Sequence, residues 1–115
     1  MKKKELTWEA FELIAERFRV LADPMRLRIL HALVEGELSV SQLMEATRCR
    51  QANISKHLRV LLSSGFLERR KEGLFVYYRI SDPAVFELCE LVCSSLEIRL
   101  SEQQQLVKHY SGARK

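Results

Sequence analysis

With 115 residues, 47% of them hydrophobic and 30% charged, the chain has the composition of one globular domain with a modest core. No apolar run reaches the roughly 18–20 residues that span a bilayer. The basic start, Lys2-Lys3-Lys4, leads into a stretch broken by Glu9, Glu12 and Glu16, so the expectation is a cytoplasmic protein with neither signal peptide nor membrane anchor. The net charge of +4 is mild, and an odd count of three cysteines (Cys49, Cys89, Cys93) argues against a secreted disulfide scaffold.

The first helix is expected from about Thr7 to Val20, because Trp8, Phe11, Ile14, Ala15, Phe18 and Leu21 recur at helical spacing. Both prolines follow aspartate, at Asp23-Pro24 and Asp82-Pro83. An aspartate oxygen can accept an orphan backbone N–H at a helix start, and proline has none to leave unpaired. A second helix is therefore expected from Pro24 to about Glu35, with a stripe of Leu27, Leu30, Leu33 and Val34, stopping at Gly36. Ser39 with Gln42 three residues on forms a capping box for a third helix, which carries Val40, Leu43 and Met44 and ends near Thr47. After a turn of about three residues, a fourth helix from Gln51 to about Ser64 places Ile54, Leu58, Leu61 and Leu62 inward.

Past Gly65 the period changes. Phe66–Lys71 and Phe75–Ile80 are rich in strand-forming residues and flank Glu72-Gly73-Leu74, so a hairpin with a glycine turn is expected. A last helix from Pro83 toward His109, with a break near Ser101, carries Val85, Cys89, Val92, Leu96, Leu100, Gln103 and Val107, with Phe86, Leu88 and Cys93 beside them. That stripe is too wide for so small a domain to cover, and its spare face fits a second copy of the chain. The fold class is mainly helical with a small β-hairpin, a winged helix-turn-helix in a single domain over 1–115. Within it 39–64 is the helix-turn-helix, 66–80 the wing, and 1–22 with 83–109 the dimerisation helices.

The basic charge is concentrated in the middle of the chain: Arg48, Arg50, Lys56, Arg59, Arg69, Arg70 and Lys71 face a single acid, Glu68. With its apolar face turned inward, the fourth helix leaves Gln51, Asn53, Ser55, Lys56, His57 and Arg59 outward or flanking. Glutamine and asparagine suit adenine, lysine and arginine suit guanine or phosphate, and Arg69, Arg70 and Lys71 on the wing suit the DNA backbone or minor groove. A charge run alone would mean only a solvated face or a protected sheet edge. Here charge, helix spacing and a basic hairpin coincide, which points to duplex DNA. A winged-helix module that docks an acidic protein partner is the alternative. Paired carboxylates, a phosphate-cradling glycine loop and a nucleophile motif are all missing, so an enzyme is not expected.

The segments Leu21–Leu30, Ser39–Ala46, Gln51–Leu61, Gly65-Phe66-Leu67 and Tyr77–Ile80 resemble the ArsR/SmtB family of bacterial metal-sensing repressors. The resemblance implies a homodimer through the first and last helices, bound to an inverted-repeat operator and released by an inducer. It departs from the family's pattern in the turn, where Arg48-Cys49 replaces Gly-Leu and Arg50 replaces the serine that caps the next helix; a poorly capped helix start is the expectation.

The family's zinc site on the final helices is matched only at Asp82, since Ala84, Ser95 and Ile98 occupy the other positions. Its arsenic motif on the third helix is absent, because that helix holds no cysteine. Cys89 and Cys93, at i and i+4, share a helix face and suit As(III), Sb(III) or another soft metal ion as inducer; no cofactor is required. A third thiolate would come from the partner chain or, less readily, from Cys49, which occupies a core leucine position of the family. The same pair would serve a redox- or sulfide-responsive repressor, and two packed structural cysteines remain the plain alternative. His31, His57 and His109 are too scattered for a metal site.

Overall fold

The structure, a computed structural model, describes residues 3–111, with side chains through residue 103. It divides into two compact units, the first ending at Asp82 and the second beginning at Pro83.

The first unit opens with α1 (Trp8–Leu21), whose Thr7 hydroxyl accepts the Ala10 N–H at 3.1 Å. Val20 and Leu21 are its buried residues. The rest of its apolar stripe is open, with Trp8 76%, Phe11 50% and Phe18 56% exposed. Arg17 pins the helix. Its guanidinium lies 4.2 Å over the Phe66 ring and donates to the Ser64 carbonyl at 3.0 Å and to Asp82 Oδ2 at 2.9 Å.

Helix α2 (Pro24–Ala32) starts on the expected cap: Asp23 Oδ1 accepts the N–H groups of Met25 at 2.9 Å and Arg26 at 3.1 Å. It ends three residues before Glu35, because Val34 and Gly36 bond three residues back, to His31 and Leu33, and tighten the chain out of the α-helix. Leu30 and Leu33 of the expected stripe are buried, together with Ile29, while Leu27 and Val34 are exposed.

A two-residue strand that the sequence did not signal, β1 (Leu38–Ser39), precedes α3 (Val40–Thr47). Ser39 caps α3 in a reciprocal capping box with Gln42, at 3.2 and 2.8 Å. Helix α4 (Gln51–Ser63) buries Ile54, Leu58 and Leu61 as expected, with Leu62 half-buried. Gly65, at φ 83°, closes it in a Schellman arrangement: Phe66 N–H reaches the Leu61 carbonyl at 3.0 Å and Gly65 N–H the Leu62 carbonyl at 3.1 Å.

Strands β2 (Leu67–Glu72) and β3 (Phe75–Ile80) form the hairpin, joined by Gly73-Leu74. Gly73 has φ 60° and Leu74 does not lie in the positive-φ region, the pattern of a type II′ turn. The sheet has three strands in the order β1-β3-β2, not two, since Leu38 and Ser39 pair antiparallel with Tyr78 and Tyr77.

The second unit is a single helix, α5 (Ala84–Ser111). It runs through Ser101 without the expected break, since no glycine or proline interrupts 84–111 and the residues after Ser101 are good helix formers. The Val107 and His109 side chains lie outside the described ones. Leu91, Val92, Leu96, Ile98 and Leu100 are exposed. No helix among the described residues is long and apolar enough to cross a membrane.

Candidate nucleic-acid interface

Helices α3 and α4 are joined by Arg48-Cys49-Arg50. Arg48 is left-handed at φ 56°, the one non-glycine residue at positive φ among those described. A side chain held there costs roughly 1–2 kcal/mol, and Cys49 beside it is buried at 6% exposure. Its thiol packs in the core of the first unit, which fits the leucine-like place expected for it and removes it as a ligand on the surface. Arg50 is the N-cap of α4, and its side chain makes no capping bond. The first turn of α4 also lacks an acidic residue. The positive end of this helix is therefore exposed between Arg48 and Arg50, an arrangement that favours an anion.

Along α4, Gln51, Asn53, Lys56 and Arg59 are exposed and Ser55 is half-buried. His57 is the exception. The sequence groups it with the outward residues, but it is buried, on the side of α4 that meets the start of α2. Its Nδ1 lies 3.4 Å from Arg26 Nη1 and 4.0 Å from Asp23 Oδ1. Arg26 in turn donates from Nε to the Val20 carbonyl at 2.6 Å. His57 thus ties α4 to α2 and is not placed to reach a base. The Arg26 backbone N–H, with lesser help from the His57 and Arg26 charges, holds the Asp23 carboxyl below the usual carboxylate range.

The hairpin has two unlike faces. Leu67, Arg69 and Lys71 share one with Val76, Tyr78 and Ile80, and Leu67 and Tyr78 anchor it in the core. The other face carries its charges in pairs. Glu68 meets Arg79 across the strands at 2.5 Å. Arg70 lies 4.8 Å over its cross-strand partner Tyr77, 2.5 Å from Glu37 and 2.7 Å from Glu72. These carboxylates raise the Arg70 pKa further, and Arg70 holds the Glu37 carboxyl below its usual range. Arg70 is expected among the DNA-contact residues, yet its charge is committed to Glu37 and Glu72. Arg69 and Lys71 have no ion pair among the described residues. Leu74, at the tip, is 97% exposed.

Replacing Arg69 and Lys71 with alanine should flatten the fall of log K with log salt by about 2 if each meets one phosphate. Arg70→Ala should leave that slope near wild type. Salt titrations of DNA affinity measure both; an equal change in the two variants would show that the Glu37–Arg70 pair opens on DNA.

On α5, Cys89 is half-buried and Cys93 exposed, and both are free thiols. Burial, then the neighbouring Cys93, push the Cys89 thiol up. No group of three His, Cys, Asp or Glu side chains among the described residues is placed to hold a metal ion.

A helix-turn-helix followed by a basic two-stranded wing defines a winged helix-turn-helix protein, the architecture of DNA-binding transcriptional regulators. Residues 23–69 match the profile of the bacterial regulatory protein, arsR family. The chain is 45% identical over 73 residues to the arsenical resistance operon repressor of Escherichia coli (strain K12), spanning 63% of this chain and 62% of that one. It superimposes on the AntR antimony-specific transcriptional repressor with TM-score 0.77 at 30% identity, covering 88% of this chain and 92% of the other. It also superimposes on a homodimeric winged helix-turn-helix DNA-binding domain from Mycobacterium bovis, a possible ArsR-family regulator, with TM-score 0.75 at 32% identity over 89% of this chain and 95% of that one. The chain belongs to the ArsR family: it is a DNA-binding transcriptional regulator and not an enzyme.

Proposed function

We propose that this regulator is a homodimeric repressor that binds an inverted-repeat operator through α4 and the β2–β3 wing, and that trivalent arsenic or antimony bound at Cys89 and Cys93 releases it. The observation that carries the DNA part is the row of exposed Gln51, Asn53, Lys56 and Arg59 on a helix whose opposite face is the core. Arg48, Arg50, Arg69 and Lys71 supply cation for flanking phosphates. Within this reading 39–64 is the helix-turn-helix, 66–80 the wing, and 1–22 with 83–109 the dimerisation segments. Support for the dimer comes from the uncovered apolar faces that α1 and α5 each carry, and from the homodimeric state of the Mycobacterium domain. A two-fold dimer asks for two half-sites related by the same symmetry.

Metalloid release is supported by the i, i+4 spacing of two free thiols on α5 and by relatives that are an arsenical resistance operon repressor and an antimony-specific repressor. The test is fluorescence anisotropy of the reduced protein on duplex DNA from upstream of its own gene, titrated with arsenite. Arsenite is expected to release the wild type. The Cys89→Ser, Cys93→Ser variant is expected to bind DNA normally and to stay bound; release of that variant would place the inducer elsewhere.

A further inference from the structure

The thiol pair has no third soft ligand beside it among the described residues. Cys49 is buried in the core of the first unit. Glu97 Oε1 accepts the Cys93 thiol at 3.7 Å, but a carboxylate is a hard donor and a poor partner for trivalent arsenic. Inorganic arsenite has three hydroxyls to exchange and is satisfied by three sulfurs. A mono-organo arsenical has two, its remaining position being a carbon.

The surroundings of Cys89 are apolar, whereas Cys93 is exposed beside Glu97. Phe86 and Val92 are the i−3 and i+3 neighbours of Cys89, and Leu96 is the i+3 neighbour of Cys93. At about 100° per residue, Val85, Val92 and Leu96 cluster within ~20° of one line, while Cys89 and Cys93 lie ~40° and ~80° round from it on the Phe86 side. The dithiol is thus on the flank of the apolar seam. Phe86, half-buried, lies on the same side of the helix as the two cysteines, so the seam itself stays free for another helix.

Resting on the inducer-site reading above, we propose that Cys89 and Cys93 take a mono-organo-substituted trivalent arsenical, an alkyl- or arylarsonous acid, in preference to inorganic arsenite. The two thiols and R–As(OH)2 react by exchange. Two As–O bonds break, two As–S bonds form, and the thiol protons leave with the hydroxides as two waters. Arsenic stays trivalent, and its bond to carbon is untouched. Neighbouring residues at i and i+4 have Cβ atoms about 5–6 Å apart, close enough for one arsenic to bridge their sulfurs across a single helical turn.

The experiment pairs intact-mass measurement with anisotropy, using the reduced full-length protein and phenylarsine oxide as probe. With arsenite present in about tenfold excess, one phenylarsenic group per chain is expected on the wild type and on Cys49→Ser, and none on Cys89→Ser, Cys93→Ser. DNA release by phenylarsine oxide is expected at roughly one hundredth of the arsenite concentration, a difference of about 2.8 kcal/mol. Arsenite displacing the phenylarsenic group, or acting at equal or lower concentration, would overturn the preference and point to a third thiolate from a partner chain. An adduct that survives in the double serine variant would overturn the site. An adduct confined to Cys89 and Cys93 while DNA stays bound supports the dithiol site and overturns instead its role as the inducer site.

Discussion

Alanine at both Lys56 and Arg59 is expected to weaken operator binding by about 2–6 kcal/mol, on the basis of roughly 1–3 kcal/mol for each side chain that reaches a base edge. Both side chains are exposed on α4 and make no hydrogen bond or ion pair among the described residues, so their loss should leave folding and dimerisation intact. Anisotropy on operator and on unrelated duplex separates the two roles. A residue that reads bases loses discrimination between the duplexes, whereas a phosphate contact weakens binding to both and flattens the salt dependence. Wild-type affinity in the double variant would remove α4 from the groove.

The second large effect is expected in the support of that helix. Ile54 is fully buried and lies between Asn53 and Ser55, so Ile54→Ala should destabilise the fold by about 2–5 kcal/mol through lost burial and a residual cavity. Small domains have a total stability of about 5–15 kcal/mol, so the loss is a large fraction of it. Urea unfolding at one fixed protein concentration measures the change, since a dimer's stability depends on concentration. DNA affinity should fall as well, because Asn53 and Lys56 keep their direction only while Ile54 anchors the helix. A midpoint unchanged from wild type would show that α4 is held by other contacts.

Much of the site could be read from the sequence because its signals are local. The Asp23 cap, the Ser39–Gln42 box, the Gly65 stop and the Gly73 turn each depend on chemistry within a few residues, and each appears where the sequence places it. The same holds for the uncapped start of α4 at Arg50. On α2 the stripe is half right: Leu30 and Leu33 are buried as expected, but Ile29 is buried and Leu27 exposed, because which flank of the stripe is covered depends on the helices packed against it. Strand β1 went unread because a two-residue strand is too short to show any alternation.

The amino-acid sequence by itself determined the order of helices and wing, the inward face of α4, the concentration of cations from Arg48 to Lys71, and the pairing of Cys89 with Cys93 on one helix. Each follows from backbone period or spacing along the chain. Only the tertiary structure decided which of those cations are available. His57 is buried because α2 brings Asp23 and Arg26 against that side of α4. Arg70 is neutralised because the register of β2 and β3 sets it over Tyr77, within reach of Glu72 and of Glu37, thirty-three residues away. Arg17 anchors α1 through Phe66, Ser64 and Asp82, contacts that no local pattern encodes. A side chain's charge is written in the sequence, but whether that charge faces solvent or a carboxylate depends on which distant segment folds against it.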